Sequence, residues 1–172
     1  MKNYVILIVL LGLFTAMSCQ NNTDKNSIEE KNKATIRQLL AEMDKGNPSF
    51  ADEVIYAECI WHMPGGAEFI GAKAFKESDA QFREGFSDLH HGVEDLIAEG
   101  DKVVARLRNT STHTGVFSGA NPTGKKIVVT VNAIYRFDKG KIVEGWVEYD
   151  GLGLMQKIGA IQFTTQTASK GK

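Results

Sequence analysis

The hydrophobic pattern of this chain changes near His91, and that change limits the fold more than any other feature of the sequence. Before His91, apolar residues recur at spacings of three and four, as they do on one face of a helix. From His91 onward, apolar and polar residues alternate, as they do on a strand with one buried face. Glycine-containing turns at 99–101, 121–124 and 138–140 divide this second half into one shorter strand and three long ones.

Helices followed by an antiparallel meander predict an α+β fold, in which the helices pack on one face of a curved antiparallel sheet. The sequence predicts a first helix from the capping box at Ser27 to the stop at Gly46. Further helices are predicted over 49–57 and 72–86. In the helix over 72–86, the phenylalanines lie in a stripe along one face, and Asp79 lies on the same face. Asp79 is therefore at the rim of the core or faces a cavity.

The first residues have the composition of an export signal. Lys2 precedes an apolar run over 5–14 that is too short to cross a bilayer. We therefore predict a signal peptide over 1–18. The position of Cys19 resembles that of the lipid-modified cysteine of bacterial lipoproteins, although Ala16 stands where leucine is usual. A cleaved signal peptide without lipidation is the alternative.

The rest of the sequence is organised as one domain. Residues 19–27, which comprise the lipidated cysteine and a polar stretch, are predicted to form a flexible tether, and 164–172 a disordered tail. The folded domain is predicted over 28–163, anchored by its lipid to a membrane of the cell envelope. If Cys19 carries the lipid, Cys59 has no partner for a disulfide, and we expect it to be a small buried hydrophobe.

Composition and motifs argue against several classes of function. The 20 basic and 21 acidic side chains are interspersed and give a net charge of -1, so nucleic acid is not an expected partner. The four histidines lack the spacing of a zinc site, so no metal is expected. Residues 119–126 resemble a phosphate-binding loop, but they lack its final Ser or Thr and lead into a strand.

The last strand, over 140–150, has the most unusual polar pattern. Alternation places Glu144, Trp146, Glu148 and Asp150 on one face of it. If that face looks into an apolar cavity, the pKa of at least one carboxyl group is raised, and that group could transfer protons at neutral pH. The alternative is a frayed strand end whose acids are solvated.

Several segments match one family pattern in order and spacing, from about Ile36 to Gly159. The matching segments are Trp61-His62, Phe86-Ser87-Asp88, Val93 through Val103, Thr112-His113-Thr114-Gly115, Pro122 through Lys126, and Gly140 through Gln156. Together they resemble the SnoaL-like polyketide cyclase, or ester cyclase, family.

The resemblance implies a fold similar to nuclear transport factor 2, which is a cone of bent antiparallel sheet closed by helices, with a pocket at its wide end. It also implies intramolecular aldol chemistry on a small apolar carbonyl compound or ester, without a metal or organic cofactor. The aspartate that acts as general acid and base in such enzymes corresponds to Asp150 here. His62 and His113 correspond to histidines that commonly line the cone.

Each of these polar residues has a catalytic interpretation and a structural alternative. His113 could polarise a carbonyl group or hold Asp150, or it could cap the turn after its strand. His62 could donate from the opposite wall, or it could be a satisfied buried histidine. Glu148 lies about 7 Å from Asp150 along the strand, so the two carboxyl groups would titrate as a pair if both face the cavity.

Three further side chains are candidates for substrate binding. Trp146 and Tyr135 suit an aromatic cavity wall, and ordinary core packing is the alternative. Asp79 could bind substrate, although pairing with Arg83 one turn later would explain it without function.

Two departures from the family pattern bear on function. Glu148 stands where an apolar residue is usual, and Gly145 stands where histidine is common, so the pocket is expected to differ in polarity. An export signal is also hard to reconcile with a cytoplasmic biosynthetic substrate. The alternative function is a non-catalytic envelope lipoprotein that binds a hydrophobic ligand. A homodimer formed through the outer sheet face, which would carry Arg106, Arg108 and Arg136, is compatible with either function.

Overall fold

The structure is a computed structural model in which residues 24–161 are described. The predicted signal peptide, the lipidation of Cys19 and the predicted tail at 164–172 lie outside these residues and stay predictions. Residues 24–27, which the sequence assigned to the tether, are already helical.

Within the described residues the chain folds into four α-helices and six strands. Among these helices, none is both long and apolar enough to span a membrane. In chain order the elements are α1 (24–44), α2 (Phe50–Val54), β1 (Ile55–His62), a 3₁₀ turn (Pro64–Gly66), β2 (Glu68–Ile70), α3 (Gly71–Gly85), β3 (Phe86–Glu99), β4 (Lys102–His113), β5 (Lys126–Asp138), β6 (Lys141–Tyr149) and α4 (Gly151–Lys157).

The strands form one curved, unclosed sheet in the order β2-β1-β6-β5-β4-β3. Neighbouring strands are antiparallel except β1 and β6, which are parallel. The hairpins around β4 and β5 follow from their turns, since Gly100 and Gly140 have φ of 61° and 78°, which glycine adopts without strain. The predicted α+β architecture, with helices before a curved antiparallel sheet, is confirmed.

The core lies between the helices and the face of the sheet that they cover, which we call the inner face. On β4, Val103, Ala105 and Leu107 are buried on this face, whereas Arg106 and Arg108 are exposed on the outer face. Burial of such apolar side chains stabilises the fold by about 1.5–3 kcal/mol for each large one. The helical side of the core includes Ile36, Leu39, Leu40 and Met43 of α1.

Helix α1 runs from the β3–β4 turn to the middle of β3. At its first part, Glu29 Oε1 accepts a hydrogen bond from the backbone N–H of Gly100 at 2.8 Å. At its end, Asp44 Oδ2 accepts one from the backbone N–H of His91 at 2.9 Å. These two bonds fix the helix along the strand and place the carboxylate of Asp44 beside the His91 side chain.

Several elements differ from the sequence prediction. Strand β3 has 14 residues and is not the short strand of the sheet, because it pairs with β4 along nearly all of its length. Helix α2 is shorter than predicted, since Ile55 already pairs with Ile142 of β6. The hydroxyl of Ser27 donates to the carbonyl of Asp24 inside α1, so the predicted capping box does not begin the helix. Helix α4 was not predicted.

Candidate functional site

A cavity of about 560 Å³ opens between the inner face of the sheet and helix α3. The sheet contributes inward side chains such as Leu107, Val131 and Val147, and α3 contributes Phe75 and Phe82 from its phenylalanine stripe. The cone is therefore hollow, and its walls are mainly apolar. Its volume lies in the range of pockets that bind small organic ligands.

A histidine and an aspartate form a tightly hydrogen-bonded pair at one wall of this cavity. Nδ1 of His91 lies 2.6 Å from Oδ1 of Asp44. Because a carboxylate can only accept, Nδ1 carries a proton, and whenever the ring is neutral the free electron pair is on Nε2. The side chains of His91 and Asp44 are 12% and 17% exposed. His91 itself lines the cavity.

Two charged residues of α3 complete this cluster. Arg83 Nε donates to Asp79 Oδ2 at 2.7 Å, and Arg83 Nη2 lies 3.7 Å from Asp44 Oδ1. Asp79 lines the cavity, with its Oδ1 3.9 Å from Nε2 of His91. Arg83 also donates to the carbonyl of Met43 at 3.2 Å, so the guanidinium is held on several sides. We call Asp44, Asp79, Arg83 and His91 the charged cluster.

The pKa of Asp44 is lowered from its ordinary value of 3.8. Burial acts to raise this pKa, but the hydrogen bonds from the side chain and backbone of His91, with a further one from His90, outweigh the effect of burial. Asp44 is therefore an anion at neutral pH, and it can hold the proton on Nδ1 of His91 in place.

Buried polar atoms without partners also surround the cavity. Among residues 24–161, the buried atoms that lack a hydrogen-bond partner are Trp61 Nε1, Asn109 Oδ1 and His113 Nε2. Trp61 and Asn109 line the cavity, and Asn109 is the cross-strand partner of His91. Leaving a buried polar group unpaired costs about 1–3 kcal/mol. A polar ligand that bound here would offset part of that cost.

Tyr135 forms part of the same wall. Its ring meets the indole of Trp61 edge-on, with the ring centroids 6.1 Å apart. Burial raises the pKa of the Tyr135 hydroxyl, which is therefore neutral and able to donate at physiological pH. Tyr135 and Asp79 thus both line the cavity, and their role in substrate binding stays a prediction.

The connection between β4 and β5, residues 114–125, covers one end of the cavity. Phe117 of this connection lines the cavity and packs on Phe82 of α3, with ring centroids 5.6 Å apart. The connection runs so close to the backbone of α3 that position 115 must be glycine. A Cβ there would lie 1.9 Å from the carbonyl oxygen of Glu84. This close contact between two backbone segments therefore shapes this end of the cavity.

The polar face of β6 does not look into the cavity, which corrects the prediction from the sequence. Val147 and Tyr149 are the β6 side chains that line it. Successive residues of a strand point to opposite faces, so the β6 residues that alternate with Val147 and Tyr149 face outward. The reason is burial. The apolar side chains of β6, which alternate with the polar ones, face the side of the sheet that the helices cover. The residues predicted to face the cavity were Glu144, Trp146, Glu148 and Asp150.

Glu144 instead forms a polar network on the outer face. Its Oε1 lies 3.0 Å from His62 Nε2, and its Oε2 accepts from Arg136 Nε at 2.9 Å. The hydrogen bond from His62 is the main reason why the pKa of Glu144 is lowered, and the bond from Arg136 is the second. The other ring nitrogen of His62 lies 3.1 Å from Glu68, and the ring stacks on Trp146 with centroids 5.3 Å apart. Neither His62 nor Trp146 lines the cavity, contrary to expectation.

Asp150 lies at the N-terminus of α4, where it acts as the helix cap. Its Oδ1 accepts a hydrogen bond from the backbone N–H of Gly153 at 2.8 Å. The side chain is exposed and does not line the cavity. Glu148 is exposed as well. The catalytic role of Asp150 stays a prediction, and its placement does not support that role.

His113 is buried behind the cavity wall. Its Nδ1 lies 3.1 Å from Thr123 Oγ1, and its ring packs on Phe86 with centroids 5.1 Å apart. Its backbone N–H donates to the carbonyl of Lys125 at 2.9 Å. His113 does not line the cavity, so these contacts favour the structural alternative, in which it holds the connection after β4.

Sequence reasoning missed His91 and Asp44. It named neither of the adjacent histidines, His90 and His91, as a candidate for the site. Alternation extended backward from Val93 contains the signal, because Leu89, His91 and Val93 share a face on β3. Asp44 had no signal of its own, since its contact with His91 spans 47 residues of sequence.

No metal or redox site is built among the described residues. Within 24–161, no group of three or more His, Cys, Asp or Glu side chains is arranged to hold a metal ion. Cys59 is buried as predicted, and burial raises the pKa of its thiol to about 12.

Comparison with known proteins identifies the family. The profile described as SnoaL-like polyketide cyclase matches residues 34–158. IdmH of Streptomyces antibioticus is 25% identical, with a TM-score of 0.68 over 74% of this chain and 98% of its own. TsrD of Streptomyces laurentii is 26% identical, with a TM-score of 0.67 over 77% and 97%. A Jannaschia sp. CCS1 protein assigned to the SnoaL-like polyketide cyclases is 26% identical, with a TM-score of 0.71 over 78% and 96%. No curated protein sequence matches this chain.

The family profile covers the described domain from α1 to the end of α4, including every strand that lines the cavity. The predicted resemblance is therefore confirmed, and the chain belongs to the SnoaL-like polyketide cyclase family.

Proposed function

We propose that this protein is a cofactor-free enzyme that performs acid and base chemistry on a small apolar carbonyl compound or ester bound in the cavity. One observation carries the proposal: an apolar cavity of about 560 Å³ has a charged cluster at its wall. Apolar walls exclude water and strengthen the action of the few charged groups on a bound ligand.

The reaction class that suits such a site is an intramolecular aldol closure. This reaction needs a group that removes a proton from the carbon next to a carbonyl, and a donor that stabilises the oxygen on which negative charge develops. Trp61 has an indole N–H without a partner, and Tyr135 has a neutral hydroxyl. Both side chains belong to the cavity wall, and both can donate to a carbonyl oxygen.

Binding and turnover can be tested together with a panel of small β-keto esters that carry a further ketone group along the chain. The chain has two tryptophans, so Trp146→Phe leaves Trp61 as the sole indole, and quenching of its fluorescence reports on the cavity. Because ring closure leaves the mass unchanged, product formation is followed by chromatographic separation and NMR. We expect quenching and a cyclised isomer with at least one member of the panel.

A matched pair of variants locates the binding site. Ala133 is buried and lines the cavity, whereas its neighbour Asn132 is exposed on the outer face. Ala133→Phe should fill the cavity and abolish quenching and turnover, and Asn132→Phe should leave both intact. Quenching that survives Ala133→Phe would place the ligand elsewhere.

The alternative function is a carrier that binds a hydrophobic ligand and catalyses nothing. The placement of Asp150 outside the cavity favours this alternative over aspartate-dependent catalysis. Saturable quenching of Trp61 without conversion of any compound in the panel would support the carrier.

We also propose that the protein is an envelope lipoprotein anchored through Cys19. The support is the sequence alone: the apolar run over 5–14 and the position of the cysteine. Cys19→Ala should move the protein from the membrane fraction to the soluble fraction, and Cys59→Ala should not. Membrane association that survives Cys19→Ala would refute the anchor.

A pairing of two copies through the outer face is proposed as well. Ile97, Val104 and Ile134 lie side by side across β3, β4 and β5 and are 66%, 39% and 37% exposed. Such a row is typical of a covered surface. Sedimentation should show a dimer that Ile134→Lys disrupts, while Ile70→Lys, at the far edge of the sheet, has no effect. A monomeric wild type would refute the pairing.

A further inference from the structure

We propose that His91 is the general base of the cavity and that Asp44 is its positioning residue. The inference rests on the function proposed above, and it names the group that takes the proton. All four histidines of the chain lie within the described residues, and His91 is the one whose side chain lines the cavity.

The ring of His91 is held in one orientation. Asp44 accepts from Nδ1 of the ring at 2.6 Å and from the backbone N–H of the same residue at 2.9 Å. This double contact fixes the tautomer with the proton on Nδ1, so the electron pair is on Nε2. Nε2 points toward Asp79, which also lines the cavity, at a distance of 3.9 Å from its Oδ1.

Charged groups from three elements face His91. Asp44 of α1 and Asp79 of α3 are both anionic partners, and Arg83 of α3 donates to Asp79 while lying 3.7 Å from Asp44. Its neighbour His90 contacts Asp44 from the solvent side, with a side chain that is 66% exposed. On β4, the residue opposite His91 is the neutral Asn109. Two carboxyl groups therefore lie beside the two ring nitrogens of His91, and Arg83 holds both in position.

The proposed step is balanced without an external reagent. Nε2 of His91 forms an N–H bond as the C–H bond next to the substrate carbonyl breaks, and the electron pair passes into an enolate. The enolate carbon then forms a C–C bond to the second carbonyl of the same molecule, whose π electrons move to oxygen. That alkoxide takes the proton back from Nε2, so His91 ends in its starting form.

The first test measures exchange of the substrate's acidic C–H in deuterated water by NMR, with the β-keto esters used above. His91→Gln should slow exchange by about 100-fold or more, the range typical for a general base. Asp44→Asn should slow it by about 10-fold or more, because the amide no longer enforces the tautomer. His62→Gln, a matched change on the outer face of the sheet, should stay within about twofold of wild type.

Imidazole ¹⁵N shifts distinguish positioning from a purely structural role for Asp44. In the wild type, Nδ1 of His91 should carry the proton, and in Asp44→Asn the proton should move to Nε2 or be shared. Melting temperatures confirm that each variant is folded. If Asp44→Asn does not fold, His91→Gln and His62→Gln still decide the question.

A second probe does not depend on turnover. The ligand p-nitrophenol resembles an enolate when ionised, and its absorbance shows whether it is bound as phenol or phenolate. At a pH below the pKa of free p-nitrophenol, the wild type and His62→Gln should bind the phenolate, because Nε2 of His91 takes the proton. His91→Gln should bind only the phenol.

The outcomes separate the two proposals. If the wild type catalyses exchange and His91→Gln retains the wild-type rate, the assignment of His91 is overturned while the enzymatic function stands. If the wild type exchanges no compound of the panel, the enzymatic function fails. Ionisation of p-nitrophenol by the wild type and not by His91→Gln would then still support His91 as the proton acceptor, and binding as phenol in both would overturn it.

Discussion

The indole ring of Trp61 occupies the space that a side chain at position 145 would fill. The two residues are paired across β1 and β6, and a Cβ added to Gly145 would lie 2.3 Å from both Cε3 and Cζ3 of Trp61. The family pattern often has histidine at this position of the last strand. In this chain the side chain of a neighbouring strand forms that part of the wall, which makes the wall more apolar.

Substitution of Gly145 by alanine should destabilise the protein. The indole has little room to move because it also packs on Phe75, with ring centroids 5.0 Å apart. We expect Gly145→Ala to lower the free energy of unfolding by about 1–3 kcal/mol, as overpacking typically does, measured by urea denaturation. Trp61→Phe combined with Gly145→Ala should cost less than the sum of the single changes. A fully stable Gly145→Ala would show that the indole moves freely.

The lowered pKa of Asp44 predicts a pH-dependent contribution to stability. At a pH above the ordinary pKa of 3.8, the ionised carboxylate stabilises the folded chain. This contribution is lost as the pH falls through the lower pKa that Asp44 has in the folded state. Asp44→Asn should lower the free energy of unfolding by about 1–2 kcal/mol at neutral pH. The difference from wild type should shrink below the ordinary pKa.

Asp52→Asn is the matched control for this measurement. Asp52 pairs with Lys76 at 2.7 Å, and its side chain is 55% exposed. Exposed ion pairs contribute about 0–1 kcal/mol, so this variant should show a smaller loss with a weaker pH dependence. An equal pH dependence in the two variants would refute the assignment to Asp44.

The cap at Asp150 predicts different effects for two substitutions. Asp150→Ala removes the acceptor of the Gly153 N–H and should cost about 0.5–2 kcal/mol in the free energy of unfolding. Asp150→Asn keeps a cap and should stay near wild type. If Asp150 acts only as a cap, Asp150→Asn should also keep full turnover. Loss of turnover in a stable Asp150→Asn would restore the aspartate to the mechanism.

The thiol of Cys59 should be inert in the native protein. Its side chain is fully buried and its pKa is raised to about 12, so little reactive thiolate forms at neutral pH. In the Cys19→Ala variant Cys59 is the sole cysteine, and iodoacetamide should modify it only after denaturation, as followed by mass spectrometry. Rapid native labelling would mean that the core around β1 opens readily.

The sequence predicted the strands well where alternation and turns agree. The turns at Gly100 and Gly140 lie between strands as the glycine-containing turns indicate, and Arg106 and Arg108 of β4 are exposed on the outer face as expected. Strand β3 was underestimated because its first residues pair with β4 through an irregular register, with shifts between Ser87 and His90. Such a bulge breaks the alternation on which the prediction depends.

The candidate site was harder to predict, and β6 shows why. Alternation correctly grouped Glu144, Trp146 and Glu148 on one face, but it does not state which face the helices cover. The choice depended on tertiary contacts, which place Val147 at the cavity and hold Glu144 between His62 and Arg136 on the outer face. A period of two fixes the partition of side chains between faces, and only tertiary contacts assign a face to the cavity.

The sequence alone determined the family, the α+β class and the presence of a mainly apolar inner face, because these follow from local patterns and short motifs. The tertiary structure decided which acids meet which histidines. Asp44 and His91 touch because the end of α1 is held beside the middle of β3, a contact across 47 residues that no local spacing encodes. Asp150, by contrast, is bound by the next turn of its own chain, and that local hydrogen bond directs it away from the cavity.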